Sequence, residues 1–257
     1  MANPVFTNNQ AFQAQGAQTA PAQDWGIERV GFDEQRPDVM TYDGTLTKAL
    51  AFFVVAVGAA VSAAILAPGL ANVFGIAAFV MTLVVVFTRS TNPLLLGATI
   101  ALMGAAAGAL SYIYEVAYGL DGIITQSLLG VATVAFVCLW LYRSGRVRVT
   151  SKSRRYLTIA VVAFVSYSLI AFGLGMFTGV YIDAMTIPGT SIPVGLLVGA
   201  LGIFIGAWMI ITDFDFIERG VTNGLPKKYE WVAAYGVVFS VIWLYTQILR
   251  VLSILRR

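Results

Sequence analysis

The chain's 257 residues are 58% hydrophobic and only 11% charged, with a mean hydropathy of +0.81, where a soluble domain has about 25% charged residues. A formal net charge of +3 gives no strongly basic surface, and no nucleic-acid partner is expected. Histidine is absent and Cys138 is the one cysteine, which excludes His-based triads, disulfide frameworks and most zinc or haem sites.

Residues 1–44 are rich in Ala, Gln, Asn and Pro, with Asp24, Glu28, Asp33, Glu34 and Asp38 toward their end. They lack the basic start and apolar core of a signal peptide. This composition predicts a disordered cytoplasmic tail. Seven apolar segments follow, at about 46–67, 70–88, 93–116, 123–142, 156–178, 193–213 and 231–252. Each is close to the roughly 20 residues a bilayer-spanning helix needs. They predict an all-α polytopic membrane domain over residues 45–257, where a barrel would show short alternating strands.

Pro68-Gly69 and Asn92-Pro93 read as tight turns between helices. The third segment is dense in small residues, Gly97 and then Gly104 to Gly108, which suits close helix packing. No internal repeat supports an inverted-repeat transporter. The connection 143–155 carries Arg143, Arg146, Arg148, Lys152, Arg154 and Arg155 and no acid. Placing it in the cytoplasm also puts Arg89, Arg219, Lys227, Lys228 and the N-terminus inside, while the alternate loops hold only Glu115, Asp121 and Asp183. That is the positive-inside pattern of a multi-pass membrane protein with its N-terminus in the cytoplasm. Seven full spans place the C-terminus outside despite Arg250, Arg256 and Arg257; either those charges are tolerated, since early helices usually set the topology, or the final segment does not cross fully, and seven spans is the favoured reading.

The stretch Ile210 to Trp231 holds seven charged residues between long apolar runs. Asp213 sits at the seam, still attached to the sixth segment, where an ionisable group is costly and marks a functional site by default. Its helical neighbours at 209, 210, 216 and 217 are Met, Ile, Phe and Ile, so its charge is expected to face a partner or a water-filled cavity. Arg89 ends the second segment at the same depth and could pair with it, or act as a snorkelling anchor. Asp215 lies about 200° around the helix from Asp213 and four residues before Arg219, the spacing of an ordinary surface ion pair. Glu115, among Tyr112, Tyr114 and Tyr118, is either an interfacial carboxylate in an aromatic belt or part of a cation-attracting mouth. With no nucleophile beside a base, no reaction class assembles; no enzyme activity and no cofactor are expected.

The run D-F-D-F-I-E-R-G at 213–220, then G-L-P-K-K-Y-E-W and a final helix with W-L-Y-x-x-I-L-R-x-L, resembles the Bax inhibitor/YccA family. The Y-R-S-G-R-V-R-V-T loop and N-terminal N-P-V-F look like its actinobacterial branch. The resemblance implies a seven-helix bundle with the last helix central, and a pH-sensitive calcium leak with roles in stress or cell-death suppression. A bacterial branch implies modulation of a membrane protease instead. In the family two aspartates on helices six and seven share a proton, and an arginine on helix two binds one of them when the pore opens. Asp213 matches the first aspartate and Arg89 the arginine, while the L-Y-x-x pattern puts the second on Gln247. Two adjacent carboxylates form a proton switch, whereas a glutamine cannot titrate. Tyr235, nearer the turn, is the competing partner.

The expected function is thus a pH-sensitive calcium or other cation leak. Asp213, Arg89 and Gln247 gate it, Glu115 and Asp215 line the cation pathway, and Asp213 holds calcium transiently. The alternative is a non-conducting regulator of a membrane protease.

Overall fold

A computed structural model describes residues 39–256. The predicted tail 1–38 lies outside them, but its assigned boundary at 44 moves: Val39 bridges to Pro226, and Met40 is 1% exposed. Met40 N–H donates to the Leu225 carbonyl at 2.7 Å. Residues 39–44 therefore belong to the folded domain.

Among the described residues seven helices follow, all long and apolar enough to cross a membrane. Helix α1 spans Tyr42–Leu66; the Thr41 hydroxyl caps it by accepting from Gly44 N–H at 3.0 Å, which satisfies a donor the helix leaves free. Helix α2 spans Ala71–Thr88 after a Pro68–Leu70 turn. It ends on Arg89, which has the left-handed conformation of a helix C-cap at φ 49°. Helix α3, Pro93–Tyr112, opens with Asn92 accepting from Leu94 N–H and runs into a π turn, Ile113–Ala117. Helix α4 spans Ile123–Arg143 and α5 spans Ser151–Thr178, the latter started by a Thr150/Ser153 capping box. Helix α6 spans Val194–Thr222 and α7 spans Tyr229–Leu255.

The sixth segment was expected to end at 213; the helix continues to Thr222. Its extra charges are matched locally. Asp215 meets Arg154 and Arg219, and Tyr142 donates to Glu218. At 1.5 Å per residue, Asp213 lies about 14 Å from that helix end, inside the span.

Helix α7 is central, as the resemblance implied. It packs along α1, α3, α4 and α6. It also reaches α5 through Trp243 against Phe164, rings 5.1 Å apart, and α2 through Ala234 and Val238 in the cluster that holds Val85. Two seams allow unusually close approach. Gly104 and Gly108 of α3 lie on the α1 backbone at Ala56 and Ala60. Gly195, Gly199, Gly202 and Gly206 of α6 meet Ile254, Val251, Gln247 and Trp243 of α7 in turn. In a bilayer such small-residue seams replace the hydrophobic effect as the source of helix adhesion.

Arg250 pairs with Asp183, and Arg256 donates to the Asp121 carbonyl at 2.9 Å. Arg250 and Arg256 are thus engaged by acid-bearing loops at the end opposite the basic 143–155 loop. The last helix runs the full length of the bundle.

Candidate functional site

Asp213 lies on the face of α6 that meets α7. Ser240 Oγ donates to its Oδ2 at 2.6 Å, and Gly236 stands one turn earlier, where a Cβ would come within 3.0 Å of Oδ1. The α6–α7 register explains the pairing. Antiparallel helices keep the residue-number sum of facing positions nearly constant, and the pairs Gly202/Gln247, Gly206/Trp243 and Asp213/Gly236 all obey it.

That register corrects one expectation. Gln247 faces Gly202, eleven residues or about 16 Å along α6 from Asp213. It is buried, and its Oε1 has no hydrogen-bond partner among the described residues. Tyr235 stacks obliquely on Phe239, centroids 5.8 Å apart, and is not the donor to Asp213 either. The hydroxyl of Ser240 is the group that faces Asp213 across the α6–α7 contact.

Arg89 is exposed and makes no ion pair among the described residues. The expected contact with Asp213 is absent in this conformation. Its left-handed backbone at the end of α2 sets it at the basic end of the bundle.

Asp215 is 6% exposed, more deeply buried than a surface ion pair. Arg219 Nε donates to it at 3.0 Å, and Arg154 reaches it from α5. Arg219 also donates to the Val149 carbonyl at 2.9 Å. Two guanidinium groups engage this carboxylate, so the geometry makes Asp215 an ion-pair clamp of the 143–155 loop onto α6 rather than a residue lining a cation pathway.

Glu115 sits in the π turn after α3. Its Oε1 accepts from Gly122 N–H at 3.2 Å, while its buried Oε2 has no partner among the described residues. Beside it in sequence, Ser111 Oγ and the Tyr245 hydroxyl lie 2.7 Å apart, which ties α3 to α7 at this end.

The sequence reading missed Glu230. Its side chain is fully buried and accepts from Thr41 N–H at 2.9 Å and Thr41 Oγ1 at 3.0 Å. Lys48 supplies the counter-charge, and its ammonium lies 5.1 Å from the Trp231 ring centroid. A signal existed: Lys48 is the lone basic residue between Arg36 and Arg89, and a cation that deep in an apolar helix implies a partner.

Among the described residues no three acidic, Cys or His side chains converge as metal ligands. The α6–α7 contact offers one carboxylate, hydrogen-bonded to one hydroxyl, inside a helical span. Such a group can hold or release a proton, take a guanidinium in place of Ser240, or contact a passing cation.

A family model described as Bax inhibitor 1 like matches residues 3–257. The chain belongs to the Bax inhibitor 1-like family. No curated protein matches it. As a member of that family with seven span-length helices, it is a multi-pass membrane protein. Within the Bax inhibitor fold, this chain carries Asp213 opposite a serine, and a proton shared between two carboxylates has no counterpart at that contact.

Proposed function

We propose that this Bax inhibitor 1-like protein is a cation leak pathway, with calcium as the principal ion and Asp213 as the gating carboxylate. The observation that carries the reading is the Asp213–Ser240 hydrogen bond, 2.6 Å long, which joins α6 to the central α7. Breaking it removes a polar contact between the two helices without leaving a counter-ion behind. Arg89, exposed at the end of α2, is the exchange partner that would hold Asp213 in the conducting packing. Glu115, with one carboxylate oxygen unpartnered at the opposite end, would attract the cation there. The basic loop 143–155 supports a plasma-membrane orientation with the N-terminus in the cytoplasm.

The test is calcium entry into dye-loaded liposomes across pH 5 to 8. Asp213→Asn keeps the hydrogen bond to Ser240 but cannot titrate, and is expected to flatten the flux–pH curve. An unchanged curve would remove Asp213 from the gate. Ser240→Asp is expected to do the opposite, because two carboxylates in contact titrate in two coupled steps. A steeper or two-step pH dependence in that variant would support Asp213 and position 240 as one site, and an unaltered curve would count against it.

The second reading is a non-conducting regulator of a membrane protease or another membrane protein. It is favoured by the root of the N-terminal segment, where Val39 and Met40 are fastened to the α6–α7 turn. Deleting residues 1–37 should then abolish co-purification of the partner from membranes while thermal unfolding stays the same. A flux–pH curve flattened in Asp213→Asn but unchanged in the deletion favours the leak.

A further inference from the structure

At the end of the bundle away from the basic loop, a cavity of about 700 Å³ opens between α2, the π turn, α5 and α7. That volume falls within the range of small-molecule sites, roughly 300–1,000 Å³. Its polar groups converge from four elements: Tyr114 from the π turn, Tyr167 from α5, Tyr181 and Asp183 from the connection to α6, and Arg250 from α7. Asp183 accepts from the Tyr167 hydroxyl at 3.0 Å and pairs with Arg250. Neither charge is fully enclosed: the Asp183 side chain is 37% exposed and that of Arg250 is 22%. Both therefore keep donors and acceptors for a further group.

The rest of the wall is apolar. Ile76 of α2 and Phe172 and Met176 of α5 line it and are 49%, 44% and 68% exposed. Helices α2 and α5 flank the opening without packing closely against each other. In a span-length bundle that opening faces acyl chains.

We propose that this cavity binds a zwitterionic phospholipid with a primary ammonium headgroup, drawn from the surrounding leaflet. The phosphate lies against Arg250 and the ammonium against Asp183, with the tyrosine rings beside it. An ammonium is attracted to both a carboxylate and an aromatic face. The acyl chains lie along Ile76, Phe172 and Met176. A purely anionic lipid would satisfy Arg250 but set its charge or hydroxyls against Asp183, so the acid selects against it.

The experiment is native mass spectrometry of the full chain, offered phosphatidylethanolamine and phosphatidylglycerol in equal amounts. Retained lipid is expected to favour the ethanolamine form roughly tenfold, the worth of one charge-assisted hydrogen bond. Asp183→Asn should bring that preference close to one. Ala171→Trp, which fills the cavity from the α5 wall and leaves the ion pair intact, should lose the retained lipid while keeping the wild-type circular dichroism. Equal retention of the two lipids by the wild type, an unchanged preference in Asp183→Asn, or wild-type retention in Ala171→Trp overturns the site. Displacement of the lipid by millimolar free phosphoethanolamine overturns the bilayer as the source.

Discussion

Lys48→Met is expected to destabilise the bundle by about 3–5 kcal/mol, because it leaves the buried Glu230 carboxylate without its counter-charge. The Glu230 side chain is fully buried and that of Lys48 is 15% exposed. Three donors converge on the acid: the ammonium, Thr41 N–H and Thr41 Oγ1. Removing the ammonium deletes the one full positive charge and leaves two neutral hydrogen bonds to hold an ion. The loss is read as a lower midpoint of thermal unfolding in detergent. Adding Glu230→Leu to Lys48→Met should recover a large part of it, since replacing both members of a buried pair costs far less than removing one. A Lys48→Met protein that unfolds like the wild type would show that water reaches the pair. The same substitution also loosens the place where residues 39–41, α1 and the start of α7 are joined. Faster proteolysis around residue 39 should accompany the lower midpoint.

Ala substitutions at the glycines of α1 and α3 should separate sharply by position. A Cβ on Gly104 would lie 2.9 Å from Ala56 Cα and closer still to its carbonyl, and Gly108 meets Ala60 more tightly. Neither obstacle is a flexible side chain; both are the backbone of α1. The helices must move apart, at about 1–3 kcal/mol for each added methyl. At Gly97 the nearest atom to a new Cβ is a Phe52 ring carbon at 3.5 Å, and at Gly58 there is open space. There Ala should gain up to about 1 kcal/mol of helix propensity. Gly104→Ala and Gly108→Ala unfolding at lower temperature than wild type, with Gly97→Ala and Gly58→Ala at or above it, is the expected order. All four behaving alike would mean that α1 and α3 do not pack at this distance.

The sequence by itself determined the class and the number of span-length helices, because each of these is a local or additive property. Twenty-residue apolar runs have one stable form in a bilayer. Asp213 as a candidate was legible for the same reason: an acid inside an apolar run is costly wherever the other helices go. Its place at the helix end was not, since the continuation of α6 to Thr222 depends on Arg154 and Tyr142 from other elements. Which residue faces Asp213 was decided by the tertiary structure alone. Pattern matching within α7 favoured Gln247, but the partner follows from the register of two antiparallel helices, fixed by the α6 glycines meeting bulky α7 side chains. Sliding that register by two turns would change every facing pair without altering either helix. Glu230 shows the same limit, because its partners Thr41 and Lys48 lie 189 and 182 residues away in the chain. Periodicity reports which face of a helix is apolar, whereas partners and depth come only from how the helices are packed.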